Sequence, residues 1–479
     1  MDHGIRALLR HRRFGSVRVV AALGVAVTLG VGASVSLTGV ASAAPTPSPS
    51  TEVSGVDAAA ETGNDAGPLH VDNPYAGARL YVDPEWSAQA AADGGGAIAN
   101  QPTAVWLDSI ASIPHRPSGA RYRTMGLVEH LDAALAQGAD AVQLVLWNLP
   151  GRACSRLSSD GELGQDEIDR YGTEYVDPIV EILSRPQYAG LRIITIVEPD
   201  SLPNLVTNVG MRDTQTPLCD SVLANGAYVQ GIVYALSRLH ELANVYTYLD
   251  AGHHGWLGWD DNFFPTARLL ADTAAQATGG LSRVDGIIVN VANYSALVEP
   301  FLTVTDRTRM TTWIDWNDYV DELSYSTAFR DELVSLGFDP GLGILIDTSR
   351  NGWGGPDRPT AKAPGDDDQA VDASRIDRRI RITNWCNQQG AGLGERPQAD
   401  PAPGIDAYVW AKPPGESDGA SEPIANDEGL GFDQMCNPTY NGPPRGSSWY
   451  SGALGGAPLA GAWFSAHFQT LLANAYPPL

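Results

Sequence analysis

The run Val197-Glu198-Pro199-Asp200-Ser201-Leu202 closes a β-branched stretch, residues 193–197, that reads as a buried strand ending abruptly in two acids and a proline. A carboxyl group at such a tip faces whatever site the strand ends on. Partial burial and neighbouring negative charge would keep Asp200 protonated near neutral pH, the condition for a general acid. The same residue could instead cap a helix starting near Leu202. Far along the chain, Lys412-Pro413-Pro414-Gly415-Glu416-Ser417-Asp418 sets one cation and two acids within seven residues of an expected loop. Alone it reads as a solvated turn. Opposite Asp200, a carboxylate from this loop would complete an acid and base pair for cleaving a glycosidic bond.

A third segment reads Asp250-Ala251-Gly252-His253-His254-Gly255-Trp256-Leu257-Gly258-Trp259. Adjacent histidines in a loop seldom coordinate one ion and no third ligand lies at a useful spacing, so the expectation is positioning histidines and no metal. The glycines leave Trp256 and Trp259 room to lie flat. Sugar rings stack on such faces, so tryptophans in a cleft suit a polysaccharide, although core packing competes for each Trp singly.

These residues need a scaffold that brings distant loops to one place. Apolar runs at 104–108, 142–148, 193–200, 245–250, 284–293, 342–347 and 405–412 read as seven strands. Helical periods at 125–135, 168–183, 228–242, 267–277, 320–336 and 376–385 separate them, and 463–473 closes the chain. Repeated strand-then-helix order predicts an α/β fold with a parallel sheet wrapped by helices, as a seven-stranded barrel rather than a doubly wound open sheet. Polar residues collect where the strands end: Asp108, Trp147, Asp200, Asp250, Asn293, Asp347 and Lys412. In barrels of this type the C-terminal strand ends converge on one mouth, so function is expected there.

Arg6, Arg10, Arg12, Arg13 and Arg18 precede an apolar run, 19–40, and Ala41-Ser42-Ala43, so residues 1–43 are expected to be a cleaved secretory signal. A Pro-, Ser- and Ala-rich stretch, 44–70, is expected to be a disordered linker, with the catalytic domain at 71–479 and no separate binding module. The chain carries −25, and −29 without the signal segment, which argues against nucleic acid and anionic membranes but not against a neutral polymer. Cys154, Cys219, Cys386 and Cys436 in an exported chain predict two disulfides. Three pairings are possible. The sequential one is favoured because each bridge would tie a loop at a strand tip, stabilising it by about 4 kcal/mol.

From about Asn73 to Leu479 the chain resembles glycoside hydrolase family 6, most closely its secreted actinobacterial exocellulases. The matching motifs are Val197 to Leu202, Asp250 to Trp259, Asn290-Val291-Ala292-Asn293-Tyr294, Asn384-Trp385-Cys386 and Lys412 to Gly419. The resemblance implies a distorted seven-stranded parallel β/α barrel with long loops roofing the cleft, an inverting mechanism without a cofactor, and cellulose or cello-oligosaccharides as substrate, bound by a monomer. By position, Asp200 looks like the general acid, Asp418 like the base, and Ser159 like a serine that holds a relaying water. Trp106, Trp147, Trp256 and Trp385 fall at sugar-binding positions, as do Asp250, His253, Asn290 and Asn293. Lys412 and Glu416 look like hydroxyl-binding groups, and the family's disulfide pairing is the sequential one.

One segment departs from the family pattern. Tyr is usual where Trp147 stands and helps to distort the reacting sugar; Asp is usual where Ala153 stands and supports protonation of the acid. The leading expectation is a secreted cellobiohydrolase acting from non-reducing ends, because the long segments 151–163 and 413–460 can roof a tunnel. The alternatives are an endoglucanase and a glucan-binding protein with weakened catalysis.

Overall fold

Side-chain alternation along short apolar strands builds this fold. A computed structural model describes residues 70–116, 122–442 and 450–479. The expected signal segment, residues 44–69 of the expected linker, residues 443–449 of the expected roof and the side chain of Ser159 lie outside the described residues.

The strands are β1 (Val105–Leu107), β2 (Ala141–Leu146), β3 (Arg192–Val197), β4 (Val245–Asp250), β5 (Gly286–Val289), β6 (Gly343–Asp347), β7 (Gln398–Ala402) and β8 (Ile405–Val409). They form one sheet in the order β1-β2-β3-β4-β5-β6-β8-β7. All seven strands expected from the sequence pair in parallel, each with its neighbour in that order. The eighth, β7, runs antiparallel to β8 at the edge and was not expected. Its sequence, QADPA, lacks apolar alternation and carries a proline, which only an edge strand or bulge accommodates. A backbone bond from Ala104 N to Trp410 O, 3.1 Å, links the start of β1 to the end of β8 and curls the sheet into a distorted barrel.

The two-residue period sorts the side chains. Ile193 and Val197 of β3, with Val245 and Leu249 of β4, face one core cluster that also holds helical Leu131, Ile179 and Leu236. Ile194 and Ile196, with Tyr246, Tyr248, Ile288 and Leu345, face the other, together with Trp106. Burying a side chain of this size stabilises by about 1.5–3 kcal/mol, so a one-residue register slip is strongly disfavoured. The same alternation carries Trp106, Trp147 and Asp250 onto the inner face.

The expected helices are present at Leu127–Gln137, Ala227–Leu239, Asp260–Ala274, Glu322–Ser335 and Ser465–Ala473. Residues 168–183 are helical, with a π turn at Tyr171–Val176 that places Tyr171 and Tyr175 toward the strand tips. Residues 376–385 are not helical, a correction to the sequence reading. The amides of Ile376 and Asp377 donate to the buried Glu299 carboxylate at 2.6 and 2.7 Å, and Arg379 closes onto Asp377, so charge pairing replaces helical bonding there. The helix lies just before, at Asp368–Ser374, capped by Asp367. The cysteines pair sequentially, as Cys154–Cys219 and Cys386–Cys436.

Candidate active site

Beyond the C-terminal ends of β2, β3 and β5 the backbone turns sharply. Ala153, Glu198, Asp200, Asn290 and Ala292 all have positive φ, between 48° and 64°. Such conformations cost about 1–2 kcal/mol per residue for non-glycine side chains and persist only where the surroundings enforce them. Here the enforcement is visible. Buried Glu198 accepts from the amides of Asn148 and Leu149 and from Tyr171 Oη at 2.8 Å. Burial pushes its carboxyl up to about 7 against those donors.

Asp200 and Asp418 line the same cavity, together with Trp106, Trp147, Trp385 and Lys412. Their environments differ. Burial raises the Asp200 carboxyl, with Asp418 adding to the rise and Arg156 opposing it. The Arg156 guanidinium pairs with Asp200 Oδ2 at 2.7 Å, and Asp200 N donates to Asp250 Oδ2 at 3.0 Å. Asp250, pushed up to about 7 by burial and by Asp200, accepts from the Asp200 amide. The helix-cap alternative fails, since the short helix Asn204–Thr207 is entered through Pro203.

Asp418 accepts two bonds from Arg350 Nη1, at 2.8 and 2.9 Å, one from Tyr294 Oη at 2.6 Å and one from Asn387 N at 2.8 Å. Burial works to raise its carboxyl, but Arg350, Lys412 and these donors outweigh it and hold Asp418 below the usual carboxylate range. One carboxyl is thus biased toward protonation and the other toward ionisation. That is the division of labour of an acid and a base in glycosidic cleavage.

Around this pair, Trp106 donates its indole N–H to Ala411 O at 2.7 Å, and Trp147 stands edge-on to it with centroids 5.2 Å apart. The Trp147 indole N–H is anchored on Pro199 O at 3.0 Å. Lys412 Nζ lies 3.5 Å from Glu416 Oε2; Glu416 also accepts from Tyr122 and Arg123. Arg156 and Trp385 also line an adjoining cavity with His253, Trp256 and Trp259, so the two cavities read as one cleft. Trp256 donates to Thr207 Oγ1 at 3.0 Å, and His253 Nδ1 meets Ser295 Oγ at 3.2 Å.

Asn290 and Asn293 are buried behind this wall. The Asn290 amide donates to Asp347 O at 2.8 Å, and Asn293 Oδ1 accepts from Arg379 Nη1 at 3.0 Å. Ser159 sits in the turn Leu157–Ser159, on the loop that carries Arg156. Two long loops meet beside the cavity wall formed by Arg156 and Leu430: Gly431 N donates to Leu157 O at 2.9 Å, and Leu157 N to Asp433 Oδ2 at 3.2 Å. Cys386–Cys436 pins the second of them.

Sequence reasoning missed Arg156, Arg350, Tyr294 and Asn387. Tyr294 lies inside a quoted motif, and Arg156 is a cation in a loop already marked as long; nothing local marks Arg350.

The profile of Glycosyl hydrolases family 6 matches residues 67–475. Exoglucanase A of Cellulomonas fimi is 45% identical over 446 residues, covering 87% of this chain and 50% of its own, so the chain spans half the length of that relative. A probable 1,4-beta-D-glucan cellobiohydrolase C of Aspergillus niger is 35% identical, over 85% of this chain and 78% of its own. Among solved structures, the catalytic domain of Cellulomonas fimi Cel6B superposes with a TM-score of 0.80 at 44% identity, covering 86% of this chain and 97% of that one. Cellobiohydrolase II of Humicola insolens, in complex with glucose and cellotetraose, has a TM-score of 0.65 at 30% identity and covers 85% and 100%. The profile match over residues 67–475 and the 0.80 superposition at 44% identity agree, and the chain belongs to glycosyl hydrolases family 6.

Proposed function

We propose that this protein is a secreted cellulase that hydrolyses β-1,4-glucosidic bonds with inversion and releases cellobiose from non-reducing chain ends. The observation that carries the reading is the pair of carboxyls in one cavity with opposite proton bias, Asp200 raised and Asp418 lowered. In the reaction, protonated Asp200 gives its proton to the glycosidic oxygen as the C1–O bond breaks. A water attacks C1 from the opposite face, and its proton passes to Asp418, directly or through a water held near Ser159. Trp106, Trp147, Trp256 and Trp385 are the sugar platforms, while Lys412 and Glu416 hold hydroxyls.

The loops that hydrogen-bond to each other at Leu157 and Gly431, next to Arg156 and Leu430 of the cavity wall, support exo action, because a roofed cleft admits a chain by its end. The two disulfides support export to an oxidising compartment, with residues 1–43 as the signal, 44–70 as a linker and the enzyme acting as a monomer. No helix among the described residues is long and apolar enough to cross a membrane. The test is digestion of phosphoric-acid-swollen cellulose with the anomer followed by NMR. Release of α-cellobiose, with a slow viscosity fall on a soluble substituted cellulose, is the expected result; a β-product or a rapid viscosity fall overturns it. The ion pair between Arg156 and Asp200 favours a second reading, a glucan-binding protein with weakened catalysis, for which the same assay yields no cellobiose.

A further inference from the structure

Arg156 occupies two places that a bound and reacting glucan needs. Its Nη1 holds Asp200 Oδ2 at 2.7 Å, with the two side chains 17% and 19% exposed. Its guanidinium carbon also lies 4.7 Å from the ring centre of Trp385 and 5.7 Å from that of Trp256. The guanidinium, Asp200 and Trp385 all line the catalytic cavity. A ring face covered at that distance has no room for a sugar. The cation draws the Asp200 carboxyl toward its charged form, against the burial that raises it, whereas a general acid must carry a proton toward the leaving oxygen. The arrangement is therefore a resting one, and one movement of Arg156 relieves both obstacles.

The backbone beside Arg156 is fixed while its side chain reaches into the cleft. Arg156 N donates to Ala153 O at 2.7 Å, Cys154 is bridged to Cys219, and Leu157 bonds to Gly431 and Asp433. A side-chain rotation therefore suffices to clear the cleft.

We propose that Arg156 is a positioning residue: it holds the Asp200 carboxylate in a resting orientation until a glucose ring of the incoming glucan stacks on Trp385 and displaces the guanidinium. The proposal rests on the cellulase reading for the identity of that sugar. Other charged or titratable groups bear on Asp200 from every side. Asp250 meets its amide from β4. Asp418, Lys412 and Glu416 face the cavity from the loop after β8, and Asp108, Arg123 and Arg152 line it. Asp433 meets the Arg156 loop from above. In this proposal these groups keep their places when Arg156 moves. The change in Asp200 on substrate binding is then the loss of one cation, and proton affinity rises.

Two measurements test this on the whole protein. An uncleavable sulfur-linked cellotetraose titrated into Arg156→Met should bind about five- to tenfold more tightly than to the parent, since no guanidinium has to leave Trp385. The parent's affinity should weaken with rising pH, and Arg156→Met should lose that weakening. In turnover, the alkaline limb of kcat/KM reports the free enzyme and that of kcat the complex. The parent should show the kcat limb at higher pH than the kcat/KM limb. Arg156→Met should bring the two together by moving the kcat/KM limb up, and Arg156→Lys should restore part of the separation. Weaker binding by Arg156→Met, or limbs that already coincide in the parent, overturns the proposal. If the binding results hold but no variant releases cellobiose, the cellulase reading fails and the displacement stands. If cellobiose is released but binding weakens in Arg156→Met, the displacement fails and the cellulase reading stands.

Discussion

Replacing Arg350 with Met removes the cation that keeps Asp418 charged while retaining most of the side-chain bulk. Arg350 is fully buried, makes two bonds to Asp418 at 2.8 and 2.9 Å and lies over the Tyr294 ring at 4.2 Å. Charge centres about 4 Å apart at an effective dielectric near 20 attract by roughly 4 kcal/mol. Breaking a buried pair by removing one partner costs about 3–5 kcal/mol, which agrees. The loss must depend on pH. In the parent the folded-state value of Asp418 lies below its unfolded one, so its stabilisation is present above the unfolded value and fades as pH falls through the folded one. Without Arg350, burial dominates and the folded value rises above the unfolded one. The variant then carries a destabilising carboxylate at pH 7 that is relieved by protonation as the pH falls. Urea unfolding should show a deficit of about 3–5 kcal/mol at pH 7 that shrinks toward pH 4. The acid limb of kcat/KM should move to higher pH, because the base must be ionised to act. An equal deficit at both pH values, or an unmoved acid limb, would refute the role given to Arg350.

Asp200→Ala should lower hydrolysis by about 10²–10⁴-fold while cello-oligosaccharide binding is retained; more than a tenth of the parent rate remaining would exclude it as the acid. Ala153 sits at φ 52°, a backbone that Asp tolerates, so Ala153→Asp should fold. Combined with Trp147→Tyr, it should raise the rate and move the alkaline limb upward, because an added carboxylate disfavours ionisation of Asp200 and gives Arg156 another partner. An unchanged rate and limb would show that no carboxylate is needed at position 153.

Seven strands were legible because parallel strands buried on both faces must be apolar runs, and such runs are visible in any window of the chain. Asp200, Asp250 and Lys412 were legible for the same reason: a polar residue at the end of such a run stands at the barrel mouth. The sequence also indicated the class of chemistry, through the resemblance of five separated motifs to one family rather than through Asp200 or the Lys412 to Gly419 loop alone. It misread residues 376–385, whose apolar spacing mimics a helix while Glu299, 77 residues away from Ile376, takes the amides that a helix would use. What only tertiary structure decided is the protonation bias of each carboxyl. Asp418 is held low by Arg350, 68 residues away, and Asp200 meets Arg156, 44 residues away. A proton's affinity depends on the charge and water within a few ångströms, and distance along the chain carries no information about which side chains fill that space.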